Sequence, residues 1–188
     1  MSLVVNGVQQ SLLTSSDHAN ERLKVDVGQT GFWEGREFRV SYELSISSSV
    51  SRVLKFSSPV DFILQSQSLT CDEHGILFQA YRALQGNEGG VFDGYVPIYK
   101  NNFQSTAPGY TGQVAITTGG TFTPIDVNSS VETIRLRTAN ATAQAVTVGG
   151  AVSGERGLAA GDYYLVFSNL AGSGTALGVY SLIFEERP

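Results

Sequence analysis

The segment from residue 157 to residue 185 constrains the fold of this chain most strongly. It contains two apolar runs, at residues 162–169 (DYYLVFSN) and 178–185 (GVYSLIFE), separated by a loop of small residues. Both runs are rich in the aromatic and β-branched residues that suit a pleated surface, whereas the Gly, Ala, Ser and Thr residues between them do not support a helix. The segment therefore predicts two β-strands at the C-terminal end of the chain.

Antiparallel pairing of these two runs predicts a β-hairpin in which Leu165 lies opposite Leu182. The aromatic cross-strand pairs of this register are Tyr163 with Phe184 and Phe167 with Tyr180. A slip by one residue would turn all of these side chains toward water, so the register is strongly specified. Such a ribbon is only marginally stable alone, and we expect a second sheet or a partner chain to cover it.

Strict alternation of apolar and polar residues between residues 37 and 46 predicts a strand with one buried face. The apolar positions are Phe38, Val40, Tyr42, Leu44 and Ile46. Similar short patterns recur along the chain, and their number predicts ten to twelve strands. We therefore expect an all-β antiparallel β-sandwich that is jelly-roll-like. An immunoglobulin-like sandwich produces the same alternation, and the strand order stays open.

The domain organisation predicted from these patterns is an N-terminal arm at residues 1–21 followed by a single β-sandwich domain at 22–188. The arm mixes apolar and polar residues without a sustained period, and such terminal segments are ordered mainly by contacts with something else. A second hairpin is predicted where Gly119 and Gly120 separate two strand-like runs. The loosely patterned segment 85–108 is the expected long functional connection.

The charge of the chain disfavours binding to nucleic acid or to an anionic membrane. Twelve Lys and Arg residues face 17 Asp and Glu residues, which gives a formal net charge of -5 and an isoelectric point near 5.0. We find neither a secretory signal pattern nor an apolar run of membrane-spanning length. Cys71 is the single cysteine, which excludes an intrachain disulfide and suggests a reducing compartment. The expected partners are therefore proteins or neutral ligands.

The one cluster of potential metal ligands is the tetrapeptide 71–74, Cys-Asp-Glu-His. Consecutive residues of an extended chain point to opposite faces, and the other histidine, His18, lies far away in the arm. A solvated turn with a half-buried thiol is the better interpretation, and we expect no metal and no cofactor.

Catalytic motifs are not evident. Ser153 lacks the Gly-x-Ser-x-Gly spacing of a nucleophile elbow, and no glycine-rich phosphate loop precedes a helix. Carboxylates for glycoside hydrolysis would have to converge in space, and their spacing does not indicate that they do. Those carboxylates are Glu34, Glu37, Asp61, Asp93 and Asp162. We therefore expect a non-enzymatic protein.

Aromatic residues near turns are the candidate ligand-binding or interface residues: Trp33, Tyr95, Tyr99 and Tyr110, with Phe32 beside the first of them. Such rings can stack on a sugar, anchor a subunit interface, or close the edge of a core. The sequence leaves these three alternatives open.

Three stretches together resemble small virion structural proteins of tailed bacteriophages: residues 36–42, residues 53–62 and the closing segment 157–186 with its GLAAGDYY and YSLIFEE runs. Secreted bacterial β-sandwich modules end in a similar Gly-x-Tyr-Tyr segment. The phage resemblance implies a head decoration or cement protein, or a tail-associated adhesin, that functions as a homo-oligomer.

On this resemblance, the chain is a capsid-decorating protein of the virion, assembled in the host cytoplasm and most simply a trimer, since trimers fit threefold positions of a capsid lattice. Its partners are phage capsid or tail proteins, which the arm 1–21 and the segment 85–108 contact. The alternative is a carbohydrate- or receptor-binding module of a tail or head fibre, which binds a host surface glycan through Trp33, Tyr95 and Tyr99. A polysaccharide hydrolase is the third hypothesis.

Overall fold

The structure is a computed structural model that describes residues 2–5, 8–11, 30–102, 109–137, 144–149 and 156–188. Within these ranges the chain forms 16 strands, one helical turn (α1, Thr30–Trp33) and one 3-10 turn (Ala83–Gln85). The strands are β1 (Ser2–Val5), β2 (Val8–Ser11), β3 (Glu37–Ser47), β4 (Ser51–Ser58), β5 (Asp61–Glu73), β6 (Ile76–Arg82), β7 (Gly86–Gly89), β8 (Gly94–Tyr95), β9 (Tyr99–Lys100), β10 (Ala115–Thr118), β11 (Thr121–Pro124), β12 (Glu132–Leu136), β13 (Gln144–Gly149), β14 (Arg156–Leu158), β15 (Gly161–Asn169) and β16 (Thr175–Arg187). Neither helix in the described ranges has the length or apolar character to cross a lipid bilayer.

Two antiparallel six-stranded sheets form the body of the protein. The sheet that we call the β16 sheet has the order β13-β5-β16-β3-β9, with β14 also paired to β5, and the β15 sheet has the order β12-β6-β15-β4-β10-β8. The two sheets pack face to face, which confirms the prediction of an all-β antiparallel sandwich. The finer jelly-roll connectivity stays a prediction.

Aromatic rings from the two sheets meet in the interior. Phe78 of the β15 sheet stacks on Tyr180 of the β16 sheet with ring centroids 5.3 Å apart, and Phe56 contacts Phe184 edge-to-face at 5.2 Å. Aromatic pairs in these geometries contribute about 0.5–1.5 kcal/mol beyond the burial of their area. The interior between the sheets is therefore the main hydrophobic core.

The predicted hairpin between residues 162–169 and 178–185 is wrong, because the two strands belong to different sheets. In β15, Leu165 lies opposite Leu54 of β4 and Ala80 of β6. In β16, Leu182 lies opposite Val40 of β3 and Gln67 of β5. The chain between β15 and β16 crosses from one sheet to the other instead of folding back within a sheet.

The apolar character of both faces of β15 explains this placement. Tyr163, Leu165 and Phe167 point into the main core, while Tyr164 and Val166 are buried on the opposite face of the same strand. A strand that is apolar on both faces requires a central position with a layer on each side. Phe167 still contacts Tyr180, with ring centroids 5.1 Å apart, but the contact joins two facing sheets and not two neighbouring strands.

The outer layer on the β15 sheet is the two-stranded ribbon of β7 and β11. Phe122 of β11 stacks on Tyr164 at 4.2 Å with an interplanar angle of 13°, and it also contacts Tyr81 at 5.6 Å. The hairpin predicted around Gly119 and Gly120 is accordingly wrong. Gly119 does have a positive φ of 114°, but β10 pairs with β4 and β8, while β11 pairs with β7.

The alternation predicted for residues 37–46 is confirmed by β3. Phe38, Val40, Leu44 and Ile46 are at most 4% exposed and face the core, and Tyr42 is partly buried against it. The intervening residues of β3 are exposed, with the exception of Glu37, which is buried.

The segment 85–102, which is the described part of the predicted long connection 85–108, contains three short strands. Its β8 lies at the edge of the β15 sheet and its β9 at the edge of the β16 sheet. Between them, Val96 is buried and donates its backbone N–H to the carbonyl of Ile116 at 3.0 Å. The segment therefore crosses from sheet to sheet and closes one side of the sandwich.

The predicted arm at 1–21 is described only in part. Strands β1 and β2 pair with each other, with Leu3 opposite Gln10. Residues 12–21, which include His18, lie outside the described residues. The division into an arm and a single domain stays a prediction.

Candidate functional site

Two of the candidate aromatic residues lie beside the start of β3, at one edge of the β16 sheet. Trp33 ends α1, and Tyr99 lies in β9 opposite Arg39 of β3. Each of the two aromatic side chains is 57% exposed. We call Trp33 and Tyr99 the aromatic edge.

Hydrogen bonds fix both parts of the aromatic edge to the sheet. The Asn102 side-chain amide donates to the carbonyl of Phe32 at 3.2 Å, and the Asn101 backbone N–H donates to the carbonyl of Glu37 at 2.9 Å. Phe32 in turn contacts Trp33 edge-to-face, with ring centroids 5.2 Å apart. The exposed rings are therefore held by ordered backbone.

Tyr95 and Tyr110, the other two candidate aromatic residues, lie elsewhere. Tyr95 is 69% exposed at the edge of the β15 sheet, in β8. Tyr110 is partly buried, and its ring lies 6.2 Å from that of Phe38. Among the described residues, no ring contact joins Trp33, Tyr95 and Tyr99 to one another. Three of the four candidates thus present accessible rings, while Tyr110 packs against the core.

Glu186, near the end of β16, holds the segment around Tyr110. Its carboxylate is fully buried and accepts the backbone N–H groups of Gln113 and Val114, each at 2.9 Å, and the hydroxyl of Tyr110 at 2.7 Å. Burial raises the pKa of Tyr110, as does its hydrogen bond to this carboxylate. These contacts make Glu186 a structural clamp on residues 110–114.

The neighbouring Glu185 faces the opposite side of the sheet, under α1. It is 4% exposed and forms ion pairs with Arg36 at 3.5 Å and with Arg187 at 3.2 Å. A Cβ atom added to Gly31 would lie 2.0 Å from the Glu185 side chain, so only glycine permits α1 to pack this closely. The helical turn that carries Trp33 is thereby seated on a buried carboxylate.

The carboxylates considered for hydrolysis have separate partners. Glu34 pairs with Arg36, Asp61 accepts the backbone N–H of Ala160 at 2.9 Å, and Asp162 pairs with Lys55 at 3.3 Å. Of the other two, Glu37 is buried and accepts the side-chain amide of Asn101, and Asp93 is exposed. Four of the five side chains therefore form local contacts that stabilise the structure.

Lys55 is the centre of a polar cluster between the β15 sheet and the β7–β11 ribbon. Its ammonium lies 2.7 Å from Glu88, which also accepts the hydroxyl of Tyr164. The hydrogen bond to Glu88 raises the pKa of Lys55, and the same bond lowers the pKa of Glu88. Burial raises the pKa of Tyr164 to about 12. The ammonium also lies 5.8 Å from the centroid of the Phe92 ring, so the cluster fastens the ribbon to the sheet.

The tetrapeptide 71–74 consists of the last three residues of β5 and of His74, which lies in the turn between β5 and β6. Cys71 is fully buried, and burial raises the pKa of its thiol, whereas Asp72, Glu73 and His74 are exposed. The thiol is therefore more deeply buried than the half-buried group that the sequence predicted. The part of the chain that the structure describes contains no group of three His, Cys, Asp or Glu side chains arranged to hold a metal ion.

An exposed apolar surface that was not predicted from the sequence lies at one end of the β7–β11 ribbon. Leu84, Ile125 and Val127 are 94%, 74% and 60% exposed, and we call them the apolar patch. The backbone N–H of Ile125 donates to the carbonyl of Gln85 at 2.9 Å, which brings the two segments together. The signal in the sequence was the alternation of Ile125, Asp126 and Val127, which resembled an ordinary strand.

Comparison of the chain with protein-family models, with curated proteins and with solved structures finds no match.

Proposed function

We propose that this chain is a non-enzymatic structural protein of a phage virion, which decorates or stabilises the capsid as a homo-oligomer. The observation that carries the proposal is the apolar patch, because three large apolar side chains lie exposed on backbone that is held in place. Clustered exposed apolar side chains mark surfaces that bind another protein. Bridging neighbouring capsid subunits requires such a surface and no chemistry.

The backbone under the patch is well anchored. The hydroxyl of Tyr81 and the side-chain amide of Gln79 both donate to the carbonyl of Val127, at 3.2 and 3.1 Å. A pre-ordered surface loses little conformational entropy on binding, so burial of its apolar area favours association at about 25 cal/mol per Å² before other costs.

A closed cyclic assembly, most simply a trimer, fits the threefold positions of a capsid lattice. The segment 85–102 begins directly after Leu84 and closes one side of the sandwich, so it would lie beside a partner that covers the patch. The arm at 1–21 would add contacts with neighbouring subunits.

The test is co-sedimentation of the purified protein with phage shells that lack it. We expect the wild-type protein to sediment with the shells and Leu84→Asp combined with Ile125→Asp to weaken binding by at least tenfold. Val50→Asp is the matched control, because Val50 is 49% exposed in the distant turn between β3 and β4. Equal binding by the wild-type protein and the double variant would reject the patch as the capsid contact.

A carbohydrate- or receptor-binding module is the second candidate, favoured by the aromatic edge. Trp33 and Tyr99 expose rings on ordered backbone at one edge of the β16 sheet, and a sugar ring can stack on such faces. Micromolar binding on a glycan array that Trp33→Ala abolishes would support this function. Absence of glycan binding by the wild-type protein would leave the capsid proposal as the better account.

A further inference from the structure

A cavity of about 120 Å³ lies between the two sheets, on the side of the sandwich opposite β8 and β9. Its mouth lies between β12, at the edge of the β15 sheet, and β14, which pairs with β5 of the β16 sheet. The wall consists of aromatic rings and aliphatic chains from both sheets, among them Phe56, Phe62, Phe78, Leu165 and Leu182.

One buried polar side chain, that of Gln67, lines this apolar cavity. Gln67 is 3% exposed, and its Oε1 atom accepts the hydroxyl of Tyr180 at 3.1 Å. Its Nε2 atom is buried and has no hydrogen-bond partner within the described part of the chain. A buried donor without an acceptor destabilises the protein, and a suitable acceptor in the cavity would remove that penalty.

An ion pair spans the mouth of the cavity. Arg156 of β14 contacts both carboxylate oxygens of Glu132 in β12, and its Nη2 lies 3.3 Å from Oε1. The Arg156 side chain is 44% exposed, and the neighbouring Val131 is 48% exposed. The Glu132 side chain is only 12% exposed, so the mouth would open by rotation of the more exposed Arg156 side chain into solvent, which would admit a ligand.

We propose that the cavity is a binding site for a small, mainly apolar molecule of about the size of a single aromatic ring that carries one hydrogen-bond acceptor. The acceptor would receive the Nε2–H of Gln67, while the ring would contact Phe56, Phe62 and Phe78. An apolar cavity of 150 Å³ is large enough for benzene, so a single ring is the appropriate scale for this volume. The site is separate from the apolar patch and the aromatic edge, and the inference does not rest on the proposed function.

The probes for this site are phenol, which carries an oxygen acceptor, and benzene, which does not. Titration is followed by the methyl ¹H–¹³C NMR signals of Leu165 and Leu182 in the cavity wall, with Val50 as a distant reference. We expect saturable shifts at the two leucines and none at Val50, with phenol bound about fivefold more tightly than benzene because of one added hydrogen bond. Absence of saturable shifts with both probes would overturn the proposal.

The role of Gln67 is tested by Gln67→Leu combined with Tyr180→Phe, which removes the unpaired donor without leaving the Tyr180 hydroxyl unpaired. This variant should bind benzene and lose the preference for phenol. Gln79→Leu is the matched control, because it makes the same side-chain change on the outer side of β6 and should keep the preference. A preference for phenol that persists in the double variant would contradict the assignment of Gln67.

Filling the cavity is an independent test. Ala80 lines the wall, and Ala80→Leu should abolish binding of both probes while the methyl spectrum stays dispersed. A folded Ala80→Leu protein that binds either probe with unchanged affinity would place the binding elsewhere. If this variant does not fold, the comparison of the Gln67→Leu/Tyr180→Phe protein with the wild type decides the question alone.

Discussion

The hydroxyl of Tyr110 donates a 2.7 Å hydrogen bond to the carboxylate of Glu186, a side chain with no exposed surface near the C-terminal end of β16. The two residues are 76 positions apart in the sequence. The same carboxylate accepts two backbone N–H groups, so it joins the segment before β10 to the C-terminal end of β16. A single buried acid thus fastens one end of the sandwich.

Glu186→Gln should destabilise the protein by about 2–4 kcal/mol. The amide has one acceptor oxygen in place of two and directs an NH₂ group toward backbone donors, and hydrogen bonds to a charged acceptor are stronger than neutral ones. Urea-induced unfolding measures the change. A loss below about 0.5 kcal/mol would show that the clamp contributes no more than an ordinary surface contact.

Tyr110→Phe removes one hydrogen bond of this clamp and should cost about 1–2 kcal/mol. Tyr99→Phe makes the same chemical change on an exposed ring of the aromatic edge, and its unfolding free energy should stay within about 0.5 kcal/mol of the wild type. Equal effects of the two changes would contradict a specific role for the Tyr110 hydroxyl.

The protein should lose stability at alkaline pH. Burial raises the pKa of Tyr164 to about 12 and also raises that of Tyr180, and the hydrogen bond to Glu88 raises the pKa of Lys55. A group whose pKa is raised by folding binds its proton more tightly in the folded state than in the unfolded state. Its contribution to the free energy of unfolding is complete below the unfolded-state pKa, near 10, and is lost as the pH rises toward the folded-state pKa.

The measurement is the free energy of unfolding in urea at pH 8 and at several values up to pH 11.5. We expect it to decline above pH 10, and to decline less steeply in Tyr164→Phe, which has one shifted group fewer. A free energy of unfolding that is constant or rises between pH 9 and pH 11.5 would contradict the assignment of these buried groups.

Gly178→Ala should destabilise the protein by about 2 kcal/mol or more. A Cβ atom at Gly178 would lie 2.1 Å from the carbonyl oxygen of Thr70, beside an irregularity in the pairing of β16 with β5. A backbone oxygen cannot move away without disturbing the strand pair, and overpacking of this kind costs about 1–3 kcal/mol.

Gly157→Ala is the control for this prediction, because nothing lies within 4 Å of a Cβ atom at Gly157 in β14. Thermal or urea-induced unfolding of the two variants should separate them clearly, with Gly157→Ala close to the wild type. If both glycine variants matched the wild type in stability, the close approach of β16 to β5 would be wrong.

The assignment of β15 and β16 to different sheets predicts specific nuclear Overhauser effects. The backbone protons of Leu165 should show cross-strand effects to Leu54 and to Ala80, and the ring of Phe167 should show effects to the ring of Tyr180. Backbone effects between Leu165 and Leu182 would instead restore the hairpin that the sequence suggests.

The burial of each strand could be predicted from the sequence where alternation was strong. In β3, the positions of Phe38, Val40, Leu44 and Ile46 determined which face is buried. The strand neighbours could not be predicted in this way, because alternation specifies a buried face and does not specify a hydrogen-bonding partner. Phe167 and Tyr180 were expected to be close and are close, but across the core.

The polar part of the structure was harder to predict because its partners are distant in the sequence. Glu186, followed by Arg187 and Pro188, resembles an ordinary solvated terminus, and its partners at residues 110–114 lie more than 70 positions away. The exposure of Leu84 likewise depends on where the β7–β11 ribbon ends. Of the four candidate aromatic residues, only Tyr110 is partly buried, and its hydroxyl is bonded to Glu186 in this same clamp.

The proposed function is tested most directly by mass spectrometry of particles purified by density gradient from lysates that contain this chain. The proposal predicts peptides of the chain in the virion, in an amount comparable with the capsid subunit, and protection of the peptide that contains Leu84 when intact particles are treated with protease. Recovery of the chain only from the lysate, with none in purified particles, would contradict a role in the virion.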